Sequence, residues 1–197
     1  MIYSEMIERA LRLSARAHRE QCRKSSDLPY VIHPVAVALI LTQAGFEQEE
    51  TVLTAALLHD VVEDTPVTLE QLEREHAFPD EVINLVNELS EQKRDEAGNK
   101  ISWKARKEHH LEVIRQSSLG ACAVVLADKL HNLKSTLIDL QHVGPKIWDR
   151  FNSSEEEFLW YHHSMLEAAD RDEERIQNLI EENRKLLHEL AMTMEKS

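Results

Sequence analysis

The chain has 197 residues, a formal net charge of −13, 42% apolar residues and only four glycines and five prolines. That length can bury the core of one domain, and the scarcity of turn formers argues against hairpins and sandwiches and for helices joined by few loops. The acidity disfavours the basic surface that duplex nucleic acid requires, but a metal or a local basic pair can still reverse the potential around a small phosphorylated ligand.

From Ile2 to His18, apolar Ile2, Met6, Ile7, Ala10, Leu13 and Ala17 recur at three- and four-residue intervals and predict one helix. It has no uninterrupted apolar leader, and no stretch of the chain reaches spanning length, so a soluble cytoplasmic protein without a membrane partner is expected. The stretch "REQCRKSSDLPY" reads as a loop, cationic at Arg23 and Lys24. A second helix begins at "HPVAVALILTQAG", where Pro34 suits the first turn and Gly45 the end. Next, "EQEETVLTAALLHDVVEDT" is apolar on most faces from Val52 to Val62 and predicts one continuous, central helix.

Thr68 and Gln71 are spaced as a capping box, and Pro79 opens the following helix, "PDEVINLVNELS". The charged "EQKRDEAGNK" reads as a mobile loop. In the polar helix "SWKARKEHHLEVIRQ", His109 and His110 are expected to be solvated. "LGACAVVLADKLHNLKSTLIDL" predicts a second central helix, with Cys122 a small core residue and no paired-cysteine motif anywhere. Near the end, Ile176, Leu179, Leu186 and Leu190 form a seam with Asn183 on it. It spans about two heptads, which favours a helix covering the core over the alternative, a homodimer contact. The division expected is a catalytic unit over 1–165 and a charged helix over 166–197.

The chemistry concentrates in "LLHDVVED". On a helix His59 and Asp60 converge on one point, with Glu63 and Asp64 one turn further along. Buried carboxylates need a cation or several donors, and three acids this close repel one another unless a divalent ion resolves the conflict. His33, just before Pro34, and Asp128, set in the apolar run "VVLADKLHNL", are further candidates. Taken singly each has a plainer explanation: a surface His–Asp pair, a packing histidine, an acid bridged to Lys129 or Lys134. Their combination favours a metal. Two imidazoles and two carboxylates suit manganese, iron or zinc better than calcium or magnesium.

The segments "RKSSDLPYVIHPVAVALIL", "TAALLHDVVEDT" and "VVLADKLHNLKS" resemble, in order and spacing, the hydrolase half of the RelA/SpoT-type alarmone enzymes and the single-domain small alarmone hydrolases, members of the HD-domain phosphohydrolases. The resemblance implies an all-α HD-domain bundle with a metal site between central helices. It places manganese on His33, His59, Asp60 and Asp128, the catalytic pair on Glu63 and Asp64, and nucleotide contacts on Arg23, Lys24, Asn132 and Ser135, the last where the alarmone enzymes usually carry threonine. It further implies hydrolysis of (p)ppGpp at its 3′-pyrophosphate, giving GDP or GTP and pyrophosphate. Alarmone synthesis is not expected, since the 197 residues are too few to hold the synthetase domain of the long enzymes as well. Asp128, Asn132 and Ser135 also share one helical stripe by spacing alone.

The segment 144–165 departs from the long enzymes. Within it Trp148, Arg150, Asn152, Trp160 and Tyr161 are candidates for a base pocket, although plain packing is favoured for Trp160 and Tyr161. His162 and His163 are expected at the surface or one layer behind the ligands. Two alternatives stand beside the alarmone reading. One is a phosphohydrolase of another nucleotide or phosphorylated cofactor. The other is a sensor that binds without turnover, against which Glu63 and Asp64 argue.

Overall fold

Side-chain caps written into the sequence start most of the helices. In the computed structural model, which describes residues 3–23, 27–95, 97–151 and 153–194, Ser4 accepts from the Ile7 amide to open α1 (Glu5–Ala17). The expected capping box of Thr68 and Gln71 opens α5 (Leu69–Arg74). Pro79 precedes α6 (Asp80–Leu89), Ser102 caps α7 (Trp103–Gln116) and Ser118 caps α8 (Leu119–Val143). A short 3₁₀ stretch, Gly144–Arg150, leads to α9 (Glu155–Ala168), which Ser154 and Glu157 box, and α10 (Glu174–Met194) closes the chain. Among the described residues there is no strand, only isolated bridges at Cys22–Pro29 and Arg94–Lys100, and the fold is all-α.

Between α1 and α5 lie three further helices. α2 (Ile32–Leu41) runs into a single π turn, Thr42–Phe46, within which Gly45 has a φ of +93°, in the left-handed region. The single central helix expected through "EQEETVLTAALLHDVVEDT" is instead broken: α3 (Glu50–Leu58) stops, His59 and Asp60 form a turn, and α4 (Val61–Asp64) resumes. His59 Nδ1–H donates to the Ala56 carbonyl at 2.7 Å, the carbonyl that an unbroken helix would offer to the Asp60 amide.

α8 is the axis of the bundle. It buries every residue from Ala121 to Lys129, and α2, α3, α6 and α10 pack on it. Gly120 allows that closeness, because a Cβ there would sit 3.1 Å from Val52 and 3.2 Å from Leu85. α10 lays Ile176, Leu179, Ile180, Leu187 and Leu190 against the core, while Leu186 is only half-buried. Asn183 is satisfied on that seam, donating to Leu126 O of α8 at 3.0 Å and to Leu179 O at 2.9 Å. No helix of the described residues is long and apolar enough to cross a membrane.

The charged loop after α6 begins with a buried acid. The Glu91 carboxylate bonds Lys107 Nζ at 2.6 Å and Arg106 Nη1, both on α7. Glu91→Ala would leave two partly buried cations without their shared counter-charge. Breaking such a group costs about 3 kcal/mol, so the melting temperature should fall by roughly 6–12 °C in a thermal melt followed by circular dichroism.

Candidate metal centre and catalytic cavity

Three separate elements bring the expected ligands together. His33 is the second residue of α2, His59 and Asp60 occupy the turn between α3 and α4, and Asp128 sits midway along α8. His33 Nε2 lies 3.0 Å from Asp128 Oδ1 and 3.5 Å from Asp60 Oδ2. His59 Nε2 lies 3.2 Å from Asp60 Oδ2 and 3.3 Å from His33 Nε2. One ligand atom each from His33, His59 and Asp60 falls within 4.8 Å of the others.

The donor set fits a divalent cation. Ligand atoms at about 2.1 Å from one ion stand about 3.0–3.4 Å apart in octahedral or tetrahedral arrangement; three of the four separations fall there and His33–Asp60, at 3.5 Å, just outside. Because the His59 Nδ1–H is committed to Ala56 O, its neutral ring turns the Nε2 lone pair inward. His33 Nδ1 lies 2.8 Å from His131 Nδ1, so a proton between them leaves His33 Nε2 free as a ligand. Left to itself, the Asp60 carboxylate draws a proton onto the His59 imidazole. Burial pulls the His59 ring down, yet the Asp60 carboxylate overcomes it and holds it at about 9. Burial pulls the His33 ring down and keeps it neutral. Burial pushes the Asp128 carboxyl up, but Lys129 and His33 hold it well below the ordinary range. A cation at this point replaces the His59 proton.

The cluster is braced from behind. Tyr30 O–H donates to Asp60 Oδ2 at 2.7 Å, and Lys129 Nζ donates to Asp128 Oδ2 at 2.7 Å. Asn132 Nδ2 donates to Asp128 Oδ1 at 2.6 Å, and Arg23 Nη2 in turn donates to Asn132 Oδ1 at 2.9 Å. Glu63 and Asp64 stand on α4 beside the cluster. Glu63 Oε2 accepts from the Glu91 amide at 3.2 Å, and Lys93 Nζ lies 3.4 Å from Glu63 Oε1 and 2.5 Å from Asp64 Oδ1. All these groups line one cavity of about 630 Å³ that also takes in Ser135.

The HD domain family model matches residues 10–152. The chain belongs to the HD-domain family. Human guanosine-3′,5′-bis(diphosphate) 3′-pyrophosphohydrolase MESH1 is 40% identical over 148 residues, 75% of this chain and 75% of that protein. A solved structure of a metazoan ortholog of SpoT that hydrolyses ppGpp aligns with a TM-score of 0.75 at 30% identity, covering 94% of this chain and 97% of that one. The crystal structure of lmo0812 from Listeria monocytogenes EGD-e aligns with a TM-score of 0.67 at 32% identity, covering 80% and 97%.

Not every sequence reading of this HD chain holds. Lys24 and Asn152 lie outside the described residues, as does the side chain of Arg150. Tyr161 lines the cavity, whereas Trp148 packs on Phe151 and Phe158, and Trp160 lies against Trp103 beneath Lys104. His110 is not solvated but buried, its Nδ1 2.9 Å from the Tyr161 hydroxyl, because α9 covers that face of α7. Burial, with Lys129 and Lys107 nearby, pulls the His110 ring down to about 4. His163 is exposed, but His162 is buried.

Sequence reasoning passed over Tyr30, Lys93, Lys107 and His131. Tyr30 and His131 each stand three residues from a ligand, a spacing that could have flagged them. Lys93 and Lys107 carry no such signal. Glu63 is pushed up by burial and by the Asp60 charge, while Lys93 draws it down. Lys93→Met should therefore move the acid limb of the kcat/KM profile to higher pH, read from initial rates between acid and neutral pH.

Proposed function

We propose that this chain hydrolyses guanosine 3′,5′-bis(diphosphate) and its pentaphosphate analogue at the 3′-pyrophosphate, releasing GDP or GTP and pyrophosphate, with manganese in the centre. The observation that carries this reading is the meeting, in one cavity, of the His33–His59–Asp60–Asp128 cluster with Glu63 and Asp64 on one side and Arg23 bonded to Asn132 on the other. The names of the aligned relatives supply the substrate class.

A divalent cation held by the four ligands supplies Lewis-acid chemistry, polarising a phosphoryl oxygen. The chain's own residues do the rest. Glu63, whose carboxyl burial and the Asp60 charge hold above the ordinary carboxylate value, takes a proton from the attacking water. Asp64, fixed by Lys93 and with Tyr30 O–H 3.5 Å away, orients that water. Arg23, Lys24, Asn132 and Ser135 hold the nucleotide so that the phosphorus on the ribose 3′-oxygen faces the centre. The water oxygen bonds to that phosphorus, the bond to the 3′-oxygen breaks, and the 3′-oxygen ends protonated.

Purified protein mixed with manganese and ppGpp should release GDP and pyrophosphate in equal amounts; no release with any divalent metal overturns the substrate reading. The cavity wall formed by Ile147, Phe151, Phe158 and Tyr161 belongs to the segment that departs from the long enzymes, which favours testing a second reading, hydrolysis of another nucleotide. A nucleotide panel separates the two, with faster turnover of an unrelated phosphate ester supporting the second. The same reading takes 1–165 as the catalytic unit and 166–197 as the helix covering it, in a cytoplasmic protein; a second copy as partner of that helix is the alternative.

A further inference from the structure

The cavity extends past the metal cluster in both directions along α8. Towards the C-terminus of that helix, Asn132, Ser135 and Asp139 line it; towards the N-terminus, Val124 and Val125 do. The second arm is closed by α7 and α9, which contribute Lys107, His110, Tyr161 and His162, with Lys129 of α8 beside them. None of these five belongs to the ligand set or to the catalytic pair.

This arm is cationic in a protein of net charge −13. Arg106 and Lys107 share the single carboxylate of Glu91, and Lys129 pairs with Asp128, whose charge a metal would also take up. Lys107 Nζ and Lys129 Nζ lie 4.7 Å and 5.0 Å from the Tyr161 ring centroid, so both ammonium groups are held at the same ring. Each ammonium has three N–H donors and commits one to its carboxylate, which leaves donors for an anion. The arm also contains polar atoms that nothing among the described residues satisfies. Nε2 of His110 and Nε2 of His162 are buried without a hydrogen-bond partner. His162 Nδ1–H donates to Phe158 O at 2.9 Å, so its Nε2 is a lone pair awaiting a donor.

We propose that this arm is a diphosphate subsite: Lys107 and Lys129 donate to the outer phosphoryl group of the scissile 3′-diphosphate, and His162 Nε2 accepts its P–OH. The inference rests on the 3′-pyrophosphohydrolase reading above. Val124 and Val125 precede Asp128 by about one helical turn, roughly 5 Å, a reach suited to one phosphoryl group beyond the scissile one. The outer phosphoryl is also the one that carries an exchangeable proton near neutral pH, with a second pKa of roughly 6. No bond to it forms or breaks in the reaction: water oxygen joins the inner phosphorus, the ribose 3′-oxygen leaves with a proton, and the released pyrophosphate keeps its outer group in the same place. The nucleoside lies along the opposite arm, by Asn132 and Ser135. Tyr161 and His162 come from the segment 144–165, so this subsite would make the chain select a 3′-diphosphate over a 3′-monophosphate.

The test is calorimetric binding of inorganic pyrophosphate, orthophosphate and GDP to the manganese-loaded full chain and to Lys107→Gln and His162→Phe. Pyrophosphate affinity should fall at least tenfold in Lys107→Gln and about three- to fivefold in His162→Phe, while orthophosphate and GDP stay within twofold. Pyrophosphate binding unchanged in both variants, or GDP affinity lost in parallel with it, overturns the subsite. Lys107→Gln weakens the pairing of Glu91 and can lower stability; if it does not fold, His162→Phe decides alone, since Phe keeps the ring stacked on Phe158. Hydrolysis of ppGpp with pyrophosphate binding indifferent to both variants removes the subsite and keeps the function. Pyrophosphate binding that depends on Lys107 in a protein inert towards ppGpp removes the function and keeps the anion subsite.

Discussion

Glu63→Ala should keep its metal and its nucleotide and lose turnover by about 100- to 10,000-fold, the range that a positioned acid–base group contributes. The expectation follows from where the carboxyl stands. It bonds the Glu91 amide and lies near Lys93, and no ligand atom of the metal cluster leans on it. Removing it therefore takes away a proton acceptor without loosening His33, His59, Asp60 or Asp128. Stability should move the other way. The folded Glu63 carboxyl binds its proton more tightly than an unfolded glutamate does, because burial and the Asp60 charge oppose ionisation. Stability is thus lost as pH rises from the unfolded value through the folded one, and above the folded value the ionised group is a net burden. The variant should melt at or above the wild-type temperature. Metal per chain, GDP affinity, turnover and a thermal melt read the four parts separately. Unchanged turnover would turn the chain into a binding protein, and lost metal would make Glu63 a ligand.

What the sequence made legible and what it concealed divide along a physical line. His33, His59, Asp60 and Asp128 stood out because each is a charged or metal-binding type inside an apolar run, where a lone polar group is costly. The box of Thr68 and Gln71 was readable because it is local, and the structure forms it. The break between α3 and α4 was not, since periodicity registers only that the run is apolar. Its cause is a contact from the His59 ring to the Ala56 carbonyl, which no periodicity encodes. Glu91 and Lys93 sit in a stretch of alternating charge that reads as solvated. Glu91 is buried by pairing with residues 15 and 16 positions further on, Arg106 and Lys107. His110 failed for the same reason: α7 is polar along its length, and only the placement of α9 decides which of its residues meets Tyr161. The seam of α10 was placed correctly at Ile176, Leu179 and Leu190, but the chain buries Leu187 rather than Leu186, a slip of one residue.

His33→Ala should cost the protein its metal. The ring offers Nε2 to the point shared by Asp60 and Asp128, and burial keeps it neutral by pulling its pKa down, the state a ligand needs. Alanine removes one of four donors and strands His131, whose Nδ1 is 2.8 Å from the His33 ring. Outer partners of a ligand alone are worth about 10- to 100-fold in metal affinity, so His131→Ala should fall in that range and His33→Ala beyond it. Competition against a chelating dye measures both, and elemental analysis after dialysis gives occupancy. A second readout is independent of affinity. A metal that binds only the folded chain raises its stability in proportion to the logarithm of free ion over Kd. Added manganese should therefore raise the wild-type melting temperature strongly, that of His131→Ala less, and that of His33→Ala little or not at all. Equal metal content and an equal manganese-dependent rise in all three proteins would take His33 out of the ligand set. Two buried imidazole nitrogens 3.3 Å apart beside two carboxylates would then have to be balanced without a metal, by Lys129 on Asp128 and by a proton on the His59 ring.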